Sequence, residues 1–164
     1  MADHVDRVAE QWARERPDLD VSPMQVIGRL SRLYQLFSSE MKRTFAAHGL
    51  DSASFDVLAT LRRSEPPHRL TPAELMRSSM VTSGAITQRL DRLEERGLVT
   101  RTRSASDGRS VVVSLTDEGR TLVDTALPDH LATEERLLSA LSGEERDALV
   151  STFRKLLESV DTKG

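Results

Sequence analysis

The amino-acid sequence predicts a mainly helical fold that carries one small β-hairpin. Three observations predict it. Apolar residues recur at spacings of three and four along most of the chain. Serine, threonine, aspartate and proline stand where helices begin, and glycines stand where they end. Between two such segments, the run "RTRSASDGRSVVVSLT" (residues 101–116) alternates apolar and polar positions on either side of a short tip.

The elements follow in order. "VDRVAEQWARE" places Val5, Val8 and Trp12 on one face of a short first helix, which "RPDLDVSP" ends. After Pro23 a long helix repeats Val26, Ile27, Leu30, Leu33, Leu36, Phe37, Met41 and Phe45. Gly49 closes it as a C-terminal cap, and His48 beside it is a cation favoured by the helix dipole. "DSASFDVLATLRRS" is a third helix, capped by Asp51 or Ser52, with Phe55, Leu58 and Leu61 inward. "EPPHR" interrupts the chain. Thr71, Pro72 and Glu74 then form a capping box with proline at the first helical position, opening a helix of about two turns. "MVTSG" restarts the pattern with Thr82 or Ser83 as cap, and "AITQRLDRLEERG" buries Ile86, Leu90 and Leu93 before Gly97 ends it. Residues 98–115 form the hairpin: Val99, Val111 and Val113 suit strands and "SDG" suits a tight turn. Two long helices complete the chain, with a second capping box at Ser142 and Glu145.

Composition narrows the function. A length of 164 residues fits one domain with a real core. The absence of cysteine excludes disulfides, thiolate metal sites and thiol switches, and points to a reducing compartment. No apolar run approaches the roughly eighteen residues of a membrane span, and "MADHVDRVAEQW" does not read as a signal sequence. A soluble cytoplasmic protein without a membrane partner is expected. The net charge is −3, yet residues 77–120 hold 8 basic against 6 acidic residues. Positive charge therefore sits mid-chain between acidic arms.

Short helix, turn, helix, then a two-stranded hairpin is the order of a winged helix-turn-helix. The second helix of such a motif presents small polar side chains to base edges and phosphates. Here its first turns offer Thr82, Ser83, Thr87 and Gln88, and Gly84 permits close backbone approach. At the hairpin tip Arg109 suits a minor groove, while Ser110 or Arg103 meets phosphate. Arg92 and Asp107 complete the candidate DNA-facing set. Arg89, Arg92 and Arg96 lie three and four residues apart beside Asp91, Glu94 and Glu95, a spacing that predicts intrahelical pairing. Arg101 and Asp107 are expected to bridge the base of the wing. The alternative is a winged-helix protein-interaction module without DNA binding, its arginines merely solvated.

The run "SGAITQRLDRLEERGLVTRTRSASDGRSVVVSLTDEGR" resembles the MarR family of bacterial regulators through its "LDRLE", "GLV-R", "D-R" and "LT-EGR" elements. That resemblance implies an obligate homodimer reading a pseudo-palindromic double-stranded DNA operator. It implies one domain over residues 1–164, with residues 1–48 and 121–164 as a helical dimerisation region and residues 51–118 as the DNA-binding lobe. The tryptophan-bearing first helix, "EQWARE", with "SFDVL", "TQRLD" and "LVTR", is similar to the urate-responsive subgroup. Carried over, Trp12, Asp56, Arg89 and Arg101 would line an effector pocket: tryptophan stacking on a planar ring, arginine neutralising an anion, aspartate accepting from a ring N–H or repelled by the bound anion. The opening "W-RERPDLD-SPM-VIGRL" also resembles members tuned to citrate or aconitate, so the effector class is a small anion. Without the resemblance, Trp12 reads as core or dimer contact.

No catalytic motif is present: no G-x-S-x-G, P-loop or G-x-G-x-x-G. A non-enzyme without cofactor or metal is expected. His130 and Glu134, one turn apart beside Asp129, read as a solvated helix face rather than a metal site, and Met76 and Met80 as packing residues.

Overall fold

The computed structural model describes residues 2–79, 86–103 and 110–161. Within them run α1 (His4–Glu15), α2 (Ser22–Ala47), α3 (Ser52–Arg63), β1 (Arg69–Leu70), α4 (Pro72–Ser78), α5 (Ile86–Glu95), β2 (Val99–Arg103), β3 (Val111–Leu115), α6 (Asp117–Leu137) and α7 (Gly143–Asp161). The strands form one antiparallel sheet of order β1-β3-β2. Arg101 lies opposite Val113, and Arg103 opposite Val111.

The predicted helix starts are realised by side-chain caps. Asp51, not Ser52, caps α3 by accepting from the Ser54 N–H. Thr71 and Glu74 exchange both bonds of the α4 capping box, and Ser142 and Glu145 do so at α7. Gly49 and Gly97 end α2 and α5 at φ +66° and +69°. In that left-handed turn Leu50 N–H donates to the Phe45 carbonyl and Leu98 N–H to that of Leu93, satisfying the last carbonyls.

One apolar core draws on nearly every element of the lobe. Leu58, Leu61, Leu75, Leu90, Leu93, Val99, Val113 and Val123 are fully buried in a cluster that spans α3 to α6. Leu90 and Leu93 fix the inner face of α5, leaving Thr87, Gln88 and Arg92 outward.

Several expectations need correction. The stretch after "EPPHR" adds a third strand, Arg69–Leu70 pairing with Val113 and Ser114, too short to show periodicity. Ile86 is half-buried rather than buried, because the core closes around Leu90 one turn later. Trp12 belongs to no core in this chain: it is 46% exposed, while α1 is seated by Val5 and Ala9. Met76 is exposed; Met80 lies outside the described residues. His130 is no freely solvated residue. Its ring packs on the stacked pair Phe45 and Phe55, with centroids 5.2 and 5.0 Å away, while Nε2 stands 3.2 Å from Glu134. His48 gains a partner that its sequence neighbours do not reveal, Asp129 at 2.9 Å.

Candidate nucleic-acid interface and effector seat

The outward side of α5 and the adjoining wing carry the expected DNA-facing residues. Thr87 and Gln88 are exposed on the first turn of α5, Arg92 one turn later. Arg103, at the end of β2, is exposed too. Thr87 and Arg103 line one crevice between α5 and the hairpin, of about 370 Å3, with Pro72, Leu90, Arg101 and Val111. Thr82, Ser83, Gly84, Asp107 and Arg109 lie outside the described residues, and Ser110 is half-buried beside β3.

Among the described residues the partners of Arg101 are α5 carboxylates; its expected bridge to Asp107 lies outside the described residues. Its backbone N–H donates to Glu94 Oε1 at 3.0 Å, its Nε donates to Glu94 Oε2 at 2.9 Å, and its terminal nitrogen bonds Asp91 Oδ1. Asp91 first, then Glu94, holds the guanidinium still more firmly protonated than an ordinary arginine. The predicted pairing along α5 is therefore replaced: Asp91 and Glu94 turn to β2, and Arg92 and Arg96 make no ion pair among the described residues.

The four residues of the expected effector pocket do not converge in one chain. Asp56 lines a cavity of about 620 Å3 between α3 and α6, walled by Phe45, Phe55, Arg62, Leu127 and His130. Arg101 faces the separate α5–wing crevice. Arg89 is half-buried near the start of α3. There burial raises the Asp51 carboxyl, but donation from Ser54 together with the positive charge of Arg89 leaves it below the ordinary value. Trp12 is remote. Val5 of α1 touches Gly28, and Phe45 lies about 25 Å further along α2 at 1.5 Å per residue. Trp12, seven residues from Val5, recovers at most about 10 Å of that gap.

A model of the MarR family matches residues 48–110, the segment holding α3 to the wing. The HTH-type transcriptional regulator PecS of Dickeya dadantii is 41% identical over 88% of this chain and 87% of its own length. The chain belongs to the MarR family. It is a DNA-binding transcriptional regulator of the helix-turn-helix type. The repressor YetL of Bacillus subtilis is 30% identical over 94% of this chain and 90% of its own. Among solved structures, BpsR of Bordetella bronchiseptica, whose DNA binding 6-hydroxynicotinic acid regulates, superposes with a TM-score of 0.74. It is 26% identical over 84% of this chain and 96% of that one.

Within this MarR-family chain, two features of the site escaped sequence reading. Gly119, in the first turn of α6, stands so close to the wing base that a Cβ there would lie 1.9 Å from the Leu98 carbonyl oxygen. Thr116 locks the same junction, capping Gly119 N–H and donating its hydroxyl to the Gly97 carbonyl at 2.6 Å. A glycine inside a helix start was the available signal. The second is His130, whose buried Nδ1 has no partner among the described residues; no signal in its neighbours predicts the Phe45–Phe55 pair beneath it.

Proposed function

We propose that this chain is a homodimeric repressor that grips a pseudo-palindromic operator with α5 and the wing, and leaves it when a small anionic metabolite binds. One observation carries the DNA-gripping part: Thr87, Gln88 and Arg92 of α5 are exposed beside Arg103 of the wing, while the two carboxylates of that helix nearest the hairpin are engaged by Arg101. Side chains of these types supply base-edge and phosphate contacts, and the sequence assigns the same role to Thr82, Ser83, Gly84, Asp107, Arg109 and Ser110. The apolar face of α7 supports the homodimer, since a monomer rarely leaves so large a patch in water.

The effector is an anion of the urate, citrate or aconitate class. Its seat is built around Asp56, with Arg89 of α5 drawn towards the negative charge, so that ligand binding displaces the DNA-reading helix. Because α1 lies too far along α2, Trp12 reaches that seat from the partner subunit. That BpsR answers to a small aromatic acid and YetL is a repressor supports this reading.

The test is titration of the purified protein onto labelled duplex from the region upstream of its own gene, at physiological salt, with and without urate or citrate. Binding that weakens steeply with salt and is released by one of the two is the expected result. Binding released by neither removes the effector class and keeps the regulator. No binding at low salt leaves the protein-interaction reading.

A further inference from the structure

We propose that Arg101 is a positioning residue: a strut that holds the wing against the DNA-reading helix and touches neither phosphate nor effector. The inference rests on the DNA-binding reading above. On the inner face of the hairpin Val99 and Val113 are buried, whereas Arg103 and Val111 beyond them are exposed. Apolar packing thus ends at the Arg101–Val113 pair. At that level Arg101 bonds both oxygens of Glu94 and one of Asp91, one turn apart on α5. A planar fork held by one bond to each of two carboxylates, with the backbone N–H of the same residue bonded to Glu94 as well, fixes direction as well as distance.

Two carboxylates already outweigh the single charge of Arg101, so another anion would approach a cluster that is negative overall. A phosphate or an effector carboxylate would be repelled by Asp91 and Glu94 unless it displaced one of them, and the displaced carboxylate would then lose its partner. The strut therefore has two effects. It sets the angle between α5 and the outer half of the hairpin, and it offsets part of the negative charge that Asp91 and Glu94 place beside a surface that must meet phosphate.

The two readings of Arg101 predict opposite signs for one experiment. Removing negative charge from a DNA-binding surface ordinarily tightens binding. If Asp91 and Glu94 instead anchor a strut, neutralising them loosens the wing. We expect Asp91→Asn/Glu94→Gln to bind operator about tenfold more weakly, the scale of a coupled network of this kind. Arg101→Met should weaken binding similarly, and adding it to the double variant should cost nothing more. Hydroxyl-radical footprints of both variants should lose the flanking protection of the wing and keep the central protection of α5. Carboxylate variants that bind as tightly as wild type, or more tightly, overturn the strut. So does an Arg101→Met variant whose only change is a salt slope lower by about 0.9, the mark of one lost phosphate contact. A wild-type chain that binds no duplex at any salt overturns the DNA reading itself before any variant is compared. Arg101→Lys is the second variant: it keeps the charge and loses the fork, and partial recovery of affinity is expected.

Discussion

Helices α3 and α7 carry similar apolar spacing but meet opposite fates. α3, with 12 residues, buries Phe55, Val57, Leu58, Thr60 and Leu61. α7, with 19, buries none, and leaves Leu149, Val150, Phe153, Leu156, Leu157 and Val160 exposed. The stretch of α2 from Val26 to Leu36 resembles α7, with Val26, Ile27, Leu33, Tyr34 and Leu36 in water. The winged lobe therefore completes its core within one chain. The helical arms present half of a core, and the homodimer proposed above supplies the other half.

The most severe way to break this contrast is to charge the arm. Phe153→Glu/Leu157→Glu should convert the dimer to monomer and weaken operator binding at least about a hundredfold, since buried unpaired charge is costly. Light scattering coupled to size exclusion reads the mass; a dimer that survives would mean α7 faces solvent in the working protein. Within the lobe, Gly119→Ala should destabilise by about 3 kcal/mol in urea unfolding, because its methyl group meets backbone rather than a movable side chain. Gly143→Ala is the control, with nothing within 4 Å of the added atom. Equal melting of the two variants would deny that the wing base and α6 are packed this closely. Smaller still, Thr71→Ala should cost about 1 kcal/mol by removing the cap of α4.

The weakest expected effect concerns α1 and pH. Asp3 is held below its ordinary value of 3.8 mainly by the Asp6 backbone N–H, and Asp6 mainly by that of Asp3; Arg29 contributes to both, at 2.9 and 2.6 Å. A carboxylate depressed in the folded state stabilises above its ordinary value and ceases to do so as pH falls through the folded one. Docking of α1 on α2 should thus loosen as the solution is acidified below 3.8, while neutral conditions leave it intact. Trp12 is the one tryptophan, so its fluorescence reports the change directly. An unchanged signal at pH 3 would assign the docking to Val5 and Ala9 alone.

How far the sequence could be read follows from the range of the forces involved. Caps at Asp51, Thr71 and Ser142, the stops at Gly49 and Gly97, the two-turn α4 and the paired Val99–Leu115 hairpin were all legible. Each depends on groups within about four residues of one another, which the local chain brings together in any fold. The candidate site was legible where it sits on such elements: Thr87, Gln88 and Arg103 are outward because Leu90, Leu93 and Val113 are inward. Pairings across the chain were not legible. Nothing in the spacing tied Arg101 to Asp91 and Glu94; the folding of the hairpin onto α5 brought them together.

By itself, then, the sequence determined the helices, their ends, the hairpin and the family, because these are written in short-range spacing and motif. Tertiary structure decided that β1 joins the sheet and that His130 lies on two phenylalanines. It also turned Trp12 away from the Asp56 cavity of its own chain and locked Arg101 to α5. Those outcomes depend on which distant surfaces meet, and charge or hydrophobicity at a single position is equally compatible with several partners.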